Sequence, residues 1–135
     1  MLGELIYEET GQTTGIRVLS SEGGETEVEI SLQTQGTVHG VSEQSLWTYR
    51  SKTRADGTIL GGGVGFMTTA DGDVIHMTGH GAAKSAGPDG SVKYRGAIFF
   101  NTTSDKHPAL NGAVGVFEYD VAADGSASTR AWEWK

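Results

Sequence analysis

Residues 46–102 alternate apolar and polar side chains in four runs that are separated by turn sequences. The turns contain Asp56-Gly57, Asp71-Gly72 and Gly87-Pro88-Asp89-Gly90. Alternation with a period of two is typical of a β-strand with one buried face. Asp-Gly between two such runs is a strong signal for a β-hairpin, because type I′ turns need positive φ at both central residues. The pattern therefore predicts four antiparallel strands in sequential hairpins.

The cross-strand partners follow if each Asp-Gly pair forms a two-residue turn, and partners lie on the same face of the sheet. Trp47 then pairs with Phe66, and Phe66 with Met77. We expect the more apolar face to be the interior; it contains Trp47, Tyr49, Leu60, Val64, Phe66, Ile75, Met77, Tyr94, Ile98 and Phe100. The opposite face is rich in basic residues and contains Thr48, Arg50, Lys52, Arg54, Met67, His76, Thr78, His80, Lys93 and Arg95.

The flanking segments predict further strands. Residues 2–9 and 13–20 predict two short strands on either side of Gly11, and residues 26–38 predict a long, half-buried strand. Residues 105–112 break the pattern and predict a turn of helix or an irregular loop. Residues 113–121 and 126–134 predict a last hairpin around Asp124-Gly125, and a two-residue turn there pairs Phe117 with Trp132 and Tyr119 with Arg130.

These elements predict an all-β protein with about eight to nine long strands and little helix. The turns recur at intervals of roughly 15 residues, whereas β-sandwiches show turn signals every 8–12 residues. Closure into a barrel would remove the exposed edges that an open sheet of this size must protect. We therefore predict a single antiparallel up-and-down β-barrel domain over residues 1–135.

Composition narrows the functional classes. The 135-residue chain has a net charge of −7 and contains no cysteine, which excludes disulfides and thiolate sites. The acidic balance argues against a nucleic-acid partner, and no apolar run is long enough to span a bilayer as a helix. The first residues do not resemble a signal peptide. We expect a cytoplasmic protein without a membrane or nucleic-acid partner and without a cofactor.

Glycines are concentrated in two of the predicted strands, where each costs roughly 0.5–1 kcal/mol relative to alanine. The cluster comprises Gly61, Gly62, Gly63, Gly65, Gly79, Gly81 and Gly96. A phosphate cradle is excluded because no helix follows. The pairing predicts a strongly coiled barrel corner whose glycines are covered on the outside by Arg50 and Lys52. Alternatively, glycines on the outer face let another subunit approach closely.

Two pairs of ionisable residues are candidates for chemistry. His76 and His80 share one face of a strand but lie about 13 Å apart along it, too far for one metal ion to bind both. We therefore predict surface histidines and no metal site. Glu118 and Glu133 share a face of the last hairpin, where they form either a carboxylate pair for acid–base catalysis or part of a solvated outer surface, which is the favoured interpretation.

The interior face combines aromatic rings with a few polar groups, as small-molecule sites do. We expect a ligand to contact Trp47, Tyr49, Phe66, Tyr94, Tyr119, Arg130 and Trp132. The alternative is that these polar tips bond within a barrel that is filled by its own side chains. No catalytic residue can be assigned from spacing alone.

The chain contains several short motifs: the turns, the run Gly61–Gly65, Tyr94-Arg95-Gly96, Leu110-Asn111-Gly112 and the terminal Trp132-Glu133-Trp134. In these motifs it resembles small prokaryotic proteins of the allene oxide cyclase-like barrel type. That type is related in shape to calycins and dirigent proteins. The resemblance covers nearly the whole chain, but its motifs are structural. It implies a barrel that binds an apolar small molecule. Some relatives of that type direct a cyclisation, and this activity transfers to the present chain only as an analogy. Fold does not fix function.

Three functional hypotheses follow. The leading one is a β-barrel that binds an apolar or aromatic small molecule in its lumen. The second is an isomerase- or cyclase-like enzyme that shapes its substrate while Tyr49, Tyr94 or Arg130 polarises an oxygen. The third is a non-catalytic homo-oligomeric assembly protein that uses the glycine-lined outer face as an interface. The sequence leaves open whether the protein is an enzyme.

Overall fold

The computed structural model describes all residues, 1–135. It contains eight β-strands and one 3-10 turn of helix. The strands are β1 (Leu2–Glu22), β2 (Glu25–Val38), β3 (Val41–Thr53), β4 (Ile59–Thr69), β5 (Val74–Ala83), β6 (Val92–Thr102), β7 (Val114–Val121) and β8 (Ser126–Trp134). The 3-10 helix, Pro108–Leu110, lies in the connection between β6 and β7.

The eight strands form one closed antiparallel barrel. Each strand pairs with the next in the chain, and β1 pairs with β8 to complete the ring. The predicted all-β, up-and-down barrel is therefore confirmed. The irregular segment predicted at residues 105–112 is the connection that contains the 3-10 helix. No helix in the structure has the length and hydrophobicity needed to cross a membrane.

The first two predicted strands are one continuous strand, so the barrel has eight strands. β1 runs through Gly11, which pairs with Thr34 of β2 and with Ala127 of β8. A side chain at this position would collide with β2, because a Cβ atom on Gly11 would lie 2.7 Å from Cα of Thr34. Gly11 therefore allows close contact between two strands and does not mark a turn.

The Asp-Gly hairpins have three-residue loops instead of the predicted two-residue turns. In the first loop, the Arg54 N–H donates to the Thr58 carbonyl oxygen at 2.8 Å, and the Gly57 N–H donates to the Arg54 carbonyl oxygen at 2.9 Å. Gly57 has a φ of 89°, whereas Asp56 has a negative φ. This arrangement is a type I turn followed by a glycine bulge. The same pair of bonds recurs in the loops that end at Asp73, Ser91 and Ser126.

The additional loop residue shifts the β3–β4 register by one, and a one-residue shift moves a strand's side chains to the opposite face. Trp47 pairs with Gly65 and not with Phe66. Leu60, Val64 and Phe66 consequently lie on the outer surface, where they are 42%, 61% and 40% exposed. The other face of β4 is interior, and its Met67, predicted to be outside, is fully buried.

A second shift of one residue, between β4 and β5, restores the predicted face of the following strands. Gly65 pairs with Met77, so Met77 and Ile75 lie inside as predicted, and so do Tyr94, Ile98 and Phe100 of β6. The β7–β8 hairpin is shifted by one as well. Phe117 pairs with Ala131 in place of Trp132, and β8 turns its other face to the interior.

Two groups of buried side chains fill the barrel. The lower group includes Met67, Ile75, Ile98, Phe100 and Leu110, and it lies toward the end that carries the β6–β7 connection. Leu110 of the 3-10 helix is only 2% exposed, so this connection plugs the lower end. The upper group consists of Leu32, Tyr49, Ile59, Ala83, Tyr94, Tyr119 and Ala127. The candidate site lies among the upper group.

Candidate functional site

A cavity of about 70 Å³ lies in the upper part of the barrel. Its wall is mainly aromatic and aliphatic, with a few hydroxyl groups. The side chains that line it are Tyr7, Leu32, Thr34, Trp47, Tyr49, Tyr94, Ile98, Phe117, Tyr119 and Thr129, together with the glycines Gly61, Gly62, Gly63, Gly79 and Gly81. A concave, mainly apolar space with a few polar groups is typical of small-molecule sites.

Most of the glycine cluster faces this cavity, where the absence of side chains makes room for aromatic rings. A Cβ atom on Gly81 would lie 2.9 Å from Cζ of Phe117, and one on Gly61 would lie 3.0 Å from Cε1 of Tyr94. Arg50 and Lys52 do not lie opposite Gly63 and Gly61 as predicted. Arg50 pairs with Gly62, which lies on the outer face, and Lys52 pairs with Leu60. The alternative of a glycine-lined outer face as an interface between subunits retains only Gly62 of this cluster on that face.

Three tyrosines from three strands meet at the upper side of the cavity. The ring centroids of Tyr49, Tyr94 and Tyr119 lie 5.6–6.0 Å apart. The hydroxyls of Tyr49 and Tyr119 share a hydrogen bond of 2.9 Å, and the Tyr94 hydroxyl shares one of 2.7 Å with Ser51. Aromatic packing and paired hydroxyls together fix the positions of the three rings.

These tyrosines are neutral at physiological pH. Burial raises the pKa of Tyr119 to about 12, although its hydrogen bond with Tyr49 acts in the opposite direction. Burial also raises the pKa values of Tyr49 and Tyr94. A neutral phenol keeps its hydrogen, so each of the three side chains can donate a hydrogen bond.

The structure separates the seven predicted ligand-binding residues into two groups. Trp47, Tyr49, Tyr94 and Tyr119 line the cavity. Phe66, Arg130 and Trp132 were expected inside, but the one-residue shifts place them on the outer face. Arg130 forms a surface ion pair with Glu8 at 3.4 Å. The interior position expected for these three residues is therefore wrong.

Several cavity residues were not among the predicted site residues. Thr34 and Leu32 lie on β2, where alternation places Thr34 on the same face as the apolar Leu32. Thr34 is 3% exposed and its hydroxyl has no hydrogen-bond partner. The period-two alternation along residues 26–38 indicates that Thr34 points inward, because a threonine in the apolar register of a half-buried strand faces the core.

A pair of buried carboxyl groups lies next to the cavity lining. Glu9 of β1 and Glu43 of β3 are each 4% exposed, and the Ser45 hydroxyl forms hydrogen bonds to both. Glu118 and Glu133 do not share a face, because the register places Glu118 opposite Arg130 on the outer surface and Glu133 on the inner face. The alternative of a catalytic pair is therefore excluded, and the favoured solvated position is observed for Glu118. The chain therefore contains a carboxyl pair, but it is formed by other residues.

The histidines do not form a cluster with other metal-ligand side chains. No three histidine or acidic side chains come together in a metal-binding arrangement. His76 and His80 are exposed on the outer face of β5, as predicted. His39 and His107 stack with their ring centroids 5.7 Å apart at the lower end of the barrel.

Comparison with solved structures identifies similar barrels. A protein of unknown function from Clostridium acetobutylicum matches with a TM-score of 0.84 at 13% identity, over 98% of both chains. A β-barrel-like protein from Acinetobacter baumannii matches with a TM-score of 0.83 at 14% identity, over 100% of this chain and 96% of the other. An enzyme from Penicillium herquei has a TM-score of 0.69 at 17% identity, over 96% and 92% of the two chains.

These likenesses show a shared small β-barrel fold and nothing about activity, because the identities are low. No protein-family model matches the chain, and no curated protein matches its sequence. The allene oxide cyclase-like resemblance therefore stays a prediction, while the small barrel that it implied is observed.

Proposed function

We propose that this protein binds a small, largely apolar molecule that carries an oxygen acceptor, inside the upper cavity of the barrel. The observation that carries the proposal is the combination of an aromatic wall with three neutral tyrosines that line one cavity. The wall favours an apolar or aromatic body, and the hydroxyls favour an oxygen at one position on it.

The hydrogen-bond capacity of the tyrosines supports an oxygen acceptor. A hydroxyl has one hydrogen, so in the Tyr49–Tyr119 pair only one hydrogen is used and the other stays free. The same holds for Ser51 and Tyr94. The tyrosines thus retain one hydrogen for a ligand from the first pair, and that of Tyr94 when Ser51 donates in the second. A carbonyl or ether oxygen would accept them, whereas a hydrocarbon would leave them without partners.

The size of the cavity limits the ligand. Drug-sized ligands occupy pockets of roughly 300–1,000 Å³, several times the 70 Å³ of this cavity. One water-sized occupant needs roughly 10–15 Å³, so the cavity holds about five. This volume suits a compound with one ring and is too small for a fatty acid or a polycyclic compound.

Binding of two matched probes tests the proposal. Acetophenone and toluene share an aromatic ring, but only acetophenone carries a carbonyl oxygen. We expect isothermal titration calorimetry to show tighter binding of acetophenone. The double variant Tyr49→Phe/Tyr119→Phe should weaken acetophenone binding about tenfold, the equivalent of one hydrogen bond, and leave toluene binding nearly unchanged. Equal losses for both probes would contradict the role of the hydroxyls.

A pair of glycine variants locates the binding space. Gly79 lines the cavity, and a Cβ on it would meet Trp47 only at 3.8 Å. Gly79→Val should therefore fit its side chain into the cavity and abolish binding of both probes. Gly15→Val on β1 is the control, because nothing lies within 4 Å of a Cβ at that position. Binding that survives Gly79→Val would place the ligand elsewhere.

An isomerase- or cyclase-like enzyme is the second candidate. Tyr49 and Tyr94 line the same cavity, so two of the three groups expected to polarise a substrate oxygen converge. Arg130, the third, is on the outer surface. One structurally similar protein is an enzyme, which at this identity adds only the fold. A homo-oligomer and a cytoplasmic location stay predictions.

A further inference from the structure

The outer face of β4 and β5 carries no acidic, lysine or arginine side chain, although 20% of the residues in the chain are charged. Its residues are apolar, hydroxyl-bearing or histidine residues, apart from one glycine. They are Leu60, Gly62, Val64, Phe66 and Thr68 on β4, and Val74, His76, Thr78, His80 and Ala82 on β5. A strand that faces water normally places polar side chains outward, so this composition indicates a surface that is covered.

Large apolar side chains are concentrated on this side of the barrel. Half of the exposed large apolar residues of the chain lie here, each at least 40% exposed, and they are Leu46, Leu60, Val64, Phe66, Val74 and Phe99. They adjoin one another, because Leu46 of β3 pairs with Phe66, and Thr78 pairs with both Val64 and Phe99 of β6. We call the outer residues of β4 and β5, together with Leu46 and Phe99, the apolar face. Contiguous exposed apolar residues mark an interaction surface.

The glycine on the apolar face lets a neighbouring ring lie along the sheet. A Cβ on Gly62 would lie 2.6 Å from Nδ1 of His80, so the imidazole ring occupies the space that a side chain at position 62 would fill. The middle of the apolar face is therefore low. A low surface allows a second sheet to approach to the usual face-to-face distance of about 10 Å.

The apolar face has the size of the core of a protein–protein interface. Its four strands, β3 to β6, lie about 4.8 Å apart, and residues 60–68 span about 25 Å at the usual rise per residue. The apolar face therefore covers roughly 400 Å² in plan, about half of the area that each partner contributes to a standard interface. Interfaces combine an apolar core that is depleted of charge with a polar rim, and the surrounding polar residues provide such a rim.

The acidic side chains of the protein are concentrated on other sides of the barrel. Glu25, Glu27 and Glu29 point outward from β2, and Glu118 and Asp120 point outward from β7. Because the chain has a net charge of −7, two copies would repel each other through those sides. Two copies that meet through the apolar face place no like charges opposite each other.

Charge also argues against other occupants of the apolar face. The two arginines at its border are already paired, Arg50 with Glu27 at 3.8 Å and Arg95 with Asp120 at 2.8 Å. They are therefore not free to bind an anionic partner, and the net charge of the chain opposes binding to an anionic lipid surface. An uncharged surface on an acidic protein is complemented by another uncharged surface, and a second copy of the chain supplies one of the same size.

We propose that the apolar face is the interface of a homodimer, in which a second copy of this chain packs its own apolar face against the first. A twofold axis brings identical surfaces together, so uncharged residues of one copy meet uncharged residues of the other. The two antiparallel sheets pack face to face, with Val64, Phe66 and Phe99 of both copies in the core. This interface goes beyond ligand binding and does not depend on it, because these side chains lie on the outside of the barrel.

Sedimentation velocity of the wild-type protein tests whether the dimer exists. We expect a dimer at about 100 µM that dissociates on dilution. Because the interface contains no ion pair and both copies are acidic, sodium chloride should leave the dimer unchanged or tighten it. A monomer at every concentration up to about 100 µM would overturn the proposal, and so would a monomer that co-sediments with phosphatidylcholine vesicles. Dissociation by salt would overturn it too, because it would indicate an interface built on ion pairs.

Charged substitutions locate the interface. Val64→Glu brings a carboxylate from each copy into the core and should weaken the Kd at least about 100-fold. Thr78→Lys changes an exposed polar position and should have a similar effect, so it keeps the test decisive if circular dichroism shows that Val64→Glu does not fold. Ile16→Glu is the matched control, because Ile16 of β1 is about as exposed as Val64 but lies outside the apolar face, and it should dimerise like wild type. A dimer that survives Val64→Glu and Thr78→Lys, or one that Ile16→Glu abolishes, would overturn the assignment.

Discussion

Two paired glycines on the inner face of β4 and β5 differ in how closely other atoms approach them. Gly63 pairs with Tyr49, and a Cβ there would collide with the Thr48 carbonyl oxygen and lie 2.6 Å from Cβ of Tyr49. Gly79, directly opposite Gly63 on β5, has no neighbour closer than 3.8 Å to such an atom. The two glycines are partners in the sheet, but only Gly63 is required by packing.

A matched pair of alanine substitutions measures this difference. Gly63→Ala should lower the free energy of unfolding by about 1–3 kcal/mol, the usual cost of overpacking. Gly79→Ala should change it by less than about 0.5 kcal/mol, because its methyl group meets only ordinary contacts. Urea denaturation of both variants is the measurement. Equal losses would contradict the conclusion that packing requires glycine at position 63 and not at position 79.

The raised pKa of Glu43 gives stability a defined pH dependence. The folded protein retains this proton up to about pH 9, whereas the unfolded chain releases it near 4.5. Between these values the unfolded state binds fewer protons, so the contribution of Glu43 to stability falls as pH rises. Glutamine is neutral throughout this range and removes the dependence.

We therefore expect Glu43→Gln to raise the melting temperature relative to wild type at pH 8, by roughly 5 °C or more. At pH 4 the difference should be much smaller, because Glu43 is then protonated in both states. Differential scanning calorimetry at the two pH values provides the measurement, with Glu118→Gln as the surface control. A difference that is the same at both pH values would show that Glu43 does not keep a buried proton.

At the scale of strands and loops, an Asp-Gly pair can form a two-residue type I′ turn or the last two residues of a three-residue loop. The two kinds of hairpin differ by one loop residue. The sequence predicts the strands, their order and the closed barrel, but the wrong choice of turn displaces β4 and β8 by one residue. Phe66 and Arg130 therefore fall on the wrong face. Trp47 and Tyr94 still lie on the predicted inner face, because the one-residue shift between β3 and β4 and the one between β4 and β5 cancel.

The sequence contains a signal for the three-residue loop. Pro88 precedes Asp89-Gly90, and proline fixes φ near −65°, as a type I turn requires at that position. In three loops a threonine or serine follows the glycine. The Thr58 N–H and hydroxyl both donate to Oδ1 of Asp56, at 2.9 and 2.6 Å, and Ser91 and Ser126 repeat the arrangement.

Removing one loop hydroxyl should change a carboxyl titration. Hydrogen bonds from the Thr58 hydroxyl and backbone lower the pKa of Asp56, so the loop contributes stability above the ordinary aspartate range and loses it as pH falls. Thr58→Val should raise the pKa of Asp56 and leave that of Asp124 unchanged, as followed by carbon-detected NMR. An unchanged Asp56 titration would show that the hydroxyl bond is absent in solution.

At the scale of the whole molecule, the site depends on contacts that local patterns do not encode. Tyr49, Tyr94 and Tyr119 are predictable as interior residues from alternation. The meeting of Glu9 and Glu43 requires β1, β2 and β3 to be aligned so that Gly36 lies between them. β1 is one 21-residue strand, and treating it as two short strands hides this register. The carboxyl pair therefore follows from the barrel and not from any segment of it.

The central claim is that the barrel contains an apolar cavity among its aromatic rings that is available to a ligand. A crystal structure determined under xenon pressure tests it without knowledge of the ligand, because xenon enters apolar cavities. We predict one strong xenon site between Trp47, Ile98 and Phe117, and its loss in Gly79→Val. Xenon bound only on the outer surface, with side chains filling the lumen, would contradict the account.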